Sequence, residues 1–113
     1  MQYALFIYED ERIYEDEAVY KAILAEHHRF VAELTAAGVL RGGSELKGTS
    51  AATTVRQNGK GSPRTVHDGP FAETREQLGG FYLIDAADLD EALGWAKKLP
   101  MAAEGSVEVR PLN

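Results

Sequence analysis

The spacing of apolar positions along these 113 residues alternates between a two-residue period and a three-to-four-residue period, and each change marks an element. Gln2 to Tyr8 reads QYALFIY. Tyr3, Leu5 and Ile7 fall on one face, and Ala4, Phe6 and Tyr8 on the other. Neither face is polar, which predicts a central strand covered on both sides. After a connection from Glu9 to Asp16 the spacing becomes helical from Ala18 to Ala37. Val19, Ile23, Phe30 and Leu34 make the apolar stripe, Ala22 and Val31 broaden it, and Glu26 and Glu33 border it. Gly38 supplies the stop, since glycine tolerates the left-handed conformation after a helix end.

Glycines punctuate the next region, leaving short extended pieces at Ser44–Leu46 and Ala52–Arg56. Asn58-Gly59 is a hairpin-turn signal, and it pairs Ala52–Arg56 with Pro63–His67. Asp68-Gly69-Pro70 turns the chain sharply, with Asp68 placed to accept hydrogen bonds from turn amides and Phe71 as an apolar anchor. Gly79 to Ile84, GGFYLI, is a second strand without polar alternation. Asp88 with Glu91 forms a capping-box signature ahead of Leu89, Ala92, Leu93, Ala96 and Leu99 at helical spacing, and Pro100 ends that helix. Ser106–Arg110 is the last strand, with Val107 and Val109 on one face.

The order strand, helix, two or three strands, helix, strand predicts a single α+β domain over residues 1–113. Two helices on one face of an antiparallel sheet match a ferredoxin-like βαββαβ arrangement with an extra hairpin. Helices cover only one sheet face, yet QYALFIY and GGFYLI are apolar or aromatic on both. The second face therefore needs a cover. A homodimer joined through its sheet faces, enclosing a barrel-like interior, is the simplest one.

Composition narrows the function classes. The hydrophobic fraction is 44% and the charged fraction 27%, both ordinary for a globular chain. Without cysteine there is no disulfide framework, zinc-thiolate cluster or thiol nucleophile. The first residues read as a strand and not as a signal peptide, and no stretch approaches the roughly 20 apolar residues of a membrane helix. A cytoplasmic location with no membrane partner is expected. The net charge of -6 argues against direct nucleic-acid binding. Much of the acidity is local, in Glu9, Asp10, Glu11, Glu15, Asp16 and Glu17, and reads as a solvated surface favouring a helix N-terminus, with a site for a divalent cation or a cationic ligand as the alternative.

The run DGPFAE, then EQLGGFYLID, then Leu89 to Trp95, then GSVEVRP forms a specific combination: Asp68 to Glu73, Glu76 to Asp85, and Gly105 to Pro111. It resembles the YCII-related family, in particular its DGPF-domain branch. The opening strand, Ala37-Gly38-Val39-Leu40 and Ala52 to Arg56 extend the likeness over essentially the whole chain. The resemblance implies a dimeric α+β barrel and an active site built around histidine and aspartate. It also implies an association with extracytoplasmic-function sigma factors in bacteria. Muconolactone isomerase-like and chlorite dismutase-like barrels share the architecture, but fold does not carry function, and no haem-ligand pattern is present.

Asp68 matches the aspartate of the DGPF motif and is the expected catalytic carboxylate, acting as general base or orienting a histidine. His27 and His28 are the candidate imidazoles. They point about 100° apart on a helix, so at most one faces a given pocket, and they do not form a metal clamp. His67, next to Asp68, faces the opposite way in extended chain. Arg56 and Arg75 are candidates for an anionic ligand, and Tyr3, Tyr8 and Tyr82 for a shared pocket wall. Gly79-Gly80 is no phosphate loop. No metal or cofactor is expected. The leading expectation is a small isomerase or lyase that works without a cofactor, using Asp68 with a histidine on a small polar ligand. The alternative is a non-catalytic module that binds a ligand or a protein in sigma-factor regulation.

Overall fold

The computed structural model describes all of residues 1–113. Its elements in chain order are β1 (Gln2–Glu9), α1 (Glu17–Ala36), β2 (Leu40–Glu45), β3 (Thr53–Gln57), β4 (Arg64–Asp68), β5 (Gln77–Asp85), α2 (Leu89–Lys98) and β6 (Gly105–Pro111). Short 3-10 turns cover Glu11–Glu15 and Thr49–Ala51. The main sheet runs β2-β5-β1-β6 with every neighbouring pair antiparallel. With the β3–β4 hairpin set aside, this is the ferredoxin-like order.

Side-chain alternation decides which sheet face the helices cover. Tyr3, Leu5 and Ile7 of β1 and Tyr82 and Ile84 of β5 are buried and pack with Phe30 and Leu34 of α1, Ala92 of α2, and Leu99. The Phe30 ring stands edge-on to Tyr82 and to Trp95, with centroids 5.3 and 6.2 Å away. Burying each large apolar side chain here contributes about 1.5–3 kcal/mol. On the opposite face Phe6 sits across from Phe81 and Ala4 from Leu83. Phe6, Tyr8, Phe81 and Leu83 are only half-buried, and none of them belongs to the core that packs with the helices.

The helix ends follow the sequence. Asp16 caps α1 by accepting from the amides of Ala18 and Val19 at 2.9 and 3.2 Å. Asp88 accepts from the Glu91 amide at 2.9 Å, and the Glu91 carboxylate takes the Ala87 amide. β2 begins earlier than the expected Ser44, because Gly42-Gly43 is part of an edge strand and not a break. At Gly43 (φ +148°) a Cβ would lie 2.6 Å from the Phe81 carbonyl oxygen, so only glycine lets β2 approach β5 here.

The expected hairpin is present, with Val55 opposite Val66 and Thr53 opposite Asp68. It forms its own two-stranded sheet. Val55, Val66 and the nearby Phe71 are 59%, 68% and 75% exposed, so no other element covers them. The radius of gyration of 15.9 Å exceeds the roughly 13 Å of a compact chain of this length, consistent with a ribbon standing off the body. No helix is long and apolar enough to cross a membrane.

Candidate functional site: a cleft between the first helix and the sheet edge

Between α1 and the β2–β5 edge lies a cleft of about 550 Å³. Gly43 and Gly80 line it, and at both an added Cβ would press on the backbone of the neighbouring strand. Tyr82, Ile7 and Glu9 complete the floor, while Ile23, His27 and Val31 of α1 form the wall. Tyr14, Tyr20, Glu11, Glu45 and Lys47 line the rest.

His27 reaches the floor because it continues the core-facing stripe of α1: Ile23, His27, Phe30 and Leu34 recur at helical spacing and point at the sheet. Its Nδ1 lies 2.7 Å from the Tyr82 hydroxyl oxygen. Burial holds the imidazole below its ordinary pKa of 6.5, against the opposing pull of Glu9, Glu26, Glu45 and the Pro100 carbonyl. Burial likewise raises the Tyr82 phenol above its ordinary value. Both groups are therefore neutral near neutral pH. His28 also lines the cleft but is exposed and makes no side-chain hydrogen bond.

Glu9 corrects the reading of the acidic run as solvated surface. It extends the Tyr3-Leu5-Ile7 alternation by one step, which turns it towards the helices, and it is only 7% exposed. The Tyr14 hydroxyl donates to its two carboxylate oxygens at 2.8 and 2.7 Å. Burial, then the hydrogen bond and charge of Glu9, push the Tyr14 phenol well above its ordinary range. Around the rim, Tyr20 donates to Glu45 at 2.9 Å, and Glu11 accepts from Thr49.

The residues singled out from sequence are dispersed. Asp68 ends β4 on the ribbon, fully on the surface; it does not line the cleft, and its carboxylate accepts no hydrogen bond. The Asp-Gly-Pro turn is braced instead by the Gly69 amide to the Ala52 carbonyl and by the Thr54 hydroxyl to the Gly69 carbonyl, at 2.8 and 2.7 Å. His67 is exposed and touches Thr65. Arg56 donates to the Phe71 carbonyl, and Arg75 sits 3.9 Å from Asp10. Tyr3 is in the core. Tyr8 lies on the helix-free face, where its hydroxyl donates to Glu108 at 3.3 Å. Of the catalytic and ligand-binding candidates, the structure gathers His27, His28 and Tyr82 at one cleft. Glu9 and Tyr14 join them without having been singled out.

Comparison with known proteins gives one consistent result. A model of the YCII-related domain matches residues 1–113. An uncharacterised protein of Rhizobium meliloti strain 1021 is 45% identical over 121 aligned positions, spanning 99% of this chain and 92% of that protein.

Proposed function

The chain belongs to the YCII-related domain family, and from that premise we propose that it is a small proton-transfer enzyme, an isomerase or lyase, working in the α1 cleft. The observation that carries this reading is the 2.7 Å contact between His27 and Tyr82 on the floor of a cleft that also holds a buried carboxylate. A neutral imidazole kept below its usual pKa is ready to take a proton, and Glu9 favours the imidazolium that results. A substrate C–H bond breaks, its proton passes to the His27–Tyr82 pair, and the electron pair moves onto an adjacent carbonyl. Return of the same proton to a neighbouring carbon completes an isomerisation with no further reactant. Lys47 is the cation at hand for the enolate oxygen. In this reading Glu9 takes the part that the motif assigned to Asp68.

The test is proton exchange. Aldehydes, ketones and lactones are incubated with the full chain in D2O, and C–H to C–D exchange is followed by proton NMR. Exchange that His27→Gln and Tyr82→Phe each reduce at least a hundredfold supports the reading. Exchange that survives unchanged in His27→Gln sinks it.

A second reading, a non-catalytic module that docks a regulatory protein, draws on the exposed apolar ribbon residues Val55, Val66 and Phe71 and on the sigma-factor association that the DGPF resemblance implies. Assembly belongs to the proposal as well. A second copy laid on the helix-free face covers Phe6, Tyr8, Phe81 and Leu83 and gives the dimeric barrel, in a cytoplasmic bacterial setting.

A further inference from the structure

We propose that the α1 cleft takes a ligand bearing a cationic amine beside an apolar or aromatic body; this rests on the reading of that cleft as the functional site. The cleft is lined by three carboxylates, Glu9, Glu11 and Glu45. None of them enters any of the ion pairs in the chain, which engage other residues throughout. Their partners are neutral donors: Tyr14 on Glu9, Thr49 on Glu11 and Tyr20 on Glu45. Such bonds fix the carboxylates in place and leave their charge uncompensated. Glu26 adds to the same field at His27. Against them stands Lys47, with His27 held neutral by burial and His28 exposed on the wall.

A recess with net negative charge favours a cation and repels an anion. The rings reinforce that preference. Tyr14 and Tyr20 meet edge-to-face with centroids 6.1 Å apart, and both line the cleft together with Tyr82. The hydroxyls of Tyr14 and Tyr20 are committed to carboxylates and that of Tyr82 to His27, and aromatic rings attract ammonium groups. Carboxylates and tyrosine faces around one recess are the chemistry of amine recognition. The two arginines expected from sequence to hold an anion, Arg56 and Arg75, lie outside this cleft. The ligand class is therefore the reverse of the one those arginines suggested.

Three probes of one shape separate the charge: benzylamine, benzyl alcohol and benzoate, titrated into the full chain at pH 7.5 and low salt. The His27, Tyr82 and Tyr14 side-chain resonances report binding. The expected result is benzylamine binding at least tenfold tighter than either other probe, weakening as salt rises. Glu45→Gln is expected to weaken benzylamine several-fold more than benzyl alcohol. Benzoate or benzyl alcohol binding as tightly as benzylamine overturns the proposal, as does absence of binding by all three. Its fate is separable from that of the enzymatic reading. Benzylamine preference without proton exchange on any substrate leaves the cation site and removes the enzyme. Exchange confined to neutral or anionic substrates does the opposite.

Discussion

The imidazole Nδ1 of His27 lies 2.7 Å from the phenolic oxygen of Tyr82, joining the middle of α1 to the middle of β5 across 55 residues of sequence. Burial lowers the His27 pKa from 6.5, which fixes the sign of its effect on stability. The folded state holds the imidazole neutral where the unfolded chain begins to protonate it. The contribution is complete above pH 6.5 and is lost as pH falls through the lower folded value. Urea unfolding of the parent between pH 7.5 and 5 should therefore lose more stability than the same series on His27→Gln. Equal losses in the two proteins would rule this out. Tyr82→Phe leaves the half-buried Nδ1 without its partner and is expected to cost about 1–3 kcal/mol at pH 7.5.

Why sequence found the fold and only part of the site is visible in the same residues. QYALFIY and GGFYLI announce themselves because every position is apolar or aromatic, and burial on both faces is the cause. The α1 stripe shows Ile23, Phe30 and Leu34, and its one gap falls at residue 27. That spacing favours His27 over its neighbour and could have settled the choice. Glu9 was equally within reach, since it continues the period of β1 beyond Ile7. Its neighbours Asp10 and Glu11 disguised it as part of an acidic surface. The pairing of His27 with Tyr82 had no local signal, because it is made by tertiary packing of distant segments. Asp68 drew notice as part of a dense turn motif, although backbone groups and Thr54 do the bracing there.

The Glu9 carboxylate, only 7% exposed, takes both of its side-chain hydrogen bonds from Tyr14. Removing that hydroxyl leaves a buried charge with no donor. Tyr14→Phe should destabilise the chain by about 2 kcal/mol, the range for bonds to charged groups. In the Glu9→Gln background the same change should cost about 1 kcal/mol less, since the acceptor is then neutral. Chemical denaturation of the four proteins of this cycle measures the coupling. Additive costs would show that the two side chains do not act as a pair.

Asp68 is exposed, and its side chain accepts nothing from the chain. Asp68→Asn should leave stability within about 0.5 kcal/mol of the parent, as for surface positions generally. A loss of 2 kcal/mol in urea unfolding would mean that the carboxylate braces the turn after all.

Two glycines respond to alanine with opposite sign. Gly94 lies inside α2, where an added Cβ meets nothing within 4 Å, and Gly94→Ala should stabilise by about 0.5–1 kcal/mol. At Gly43 the added Cβ would fall 2.6 Å from the Phe81 carbonyl oxygen and 3.2 Å from the Tyr82 Cα, at φ +148°. Neither contact can yield without moving the β2–β5 pairing. Gly43→Ala is expected to cost about 2 kcal/mol or more, within the range of a strained backbone position. Thermal unfolding of both variants tests the contrast, and a stabilising Gly43→Ala would contradict the fit of β2 against β5.

The helix-free sheet face makes the last prediction. Phe6 faces Phe81 across β1–β5, Leu83 lies beside them, and Arg110 covers part of the Phe6 ring at 5.7 Å. These side chains remain half-exposed in the single chain. A two-fold dimer buries the same patch on both copies, so one substitution acts twice. Sedimentation equilibrium at micromolar concentration should return twice the mass of one chain. Leu83→Lys places two unpaired ammonium groups in that buried face and should raise the dissociation constant at least a hundredfold, because such charges are costly without a partner. The helix side of the sheet is untouched, so Leu83→Lys should still bind benzylamine in the α1 cleft if it remains folded. A parent protein that sediments as a monomer across the micromolar range would remove the dimer.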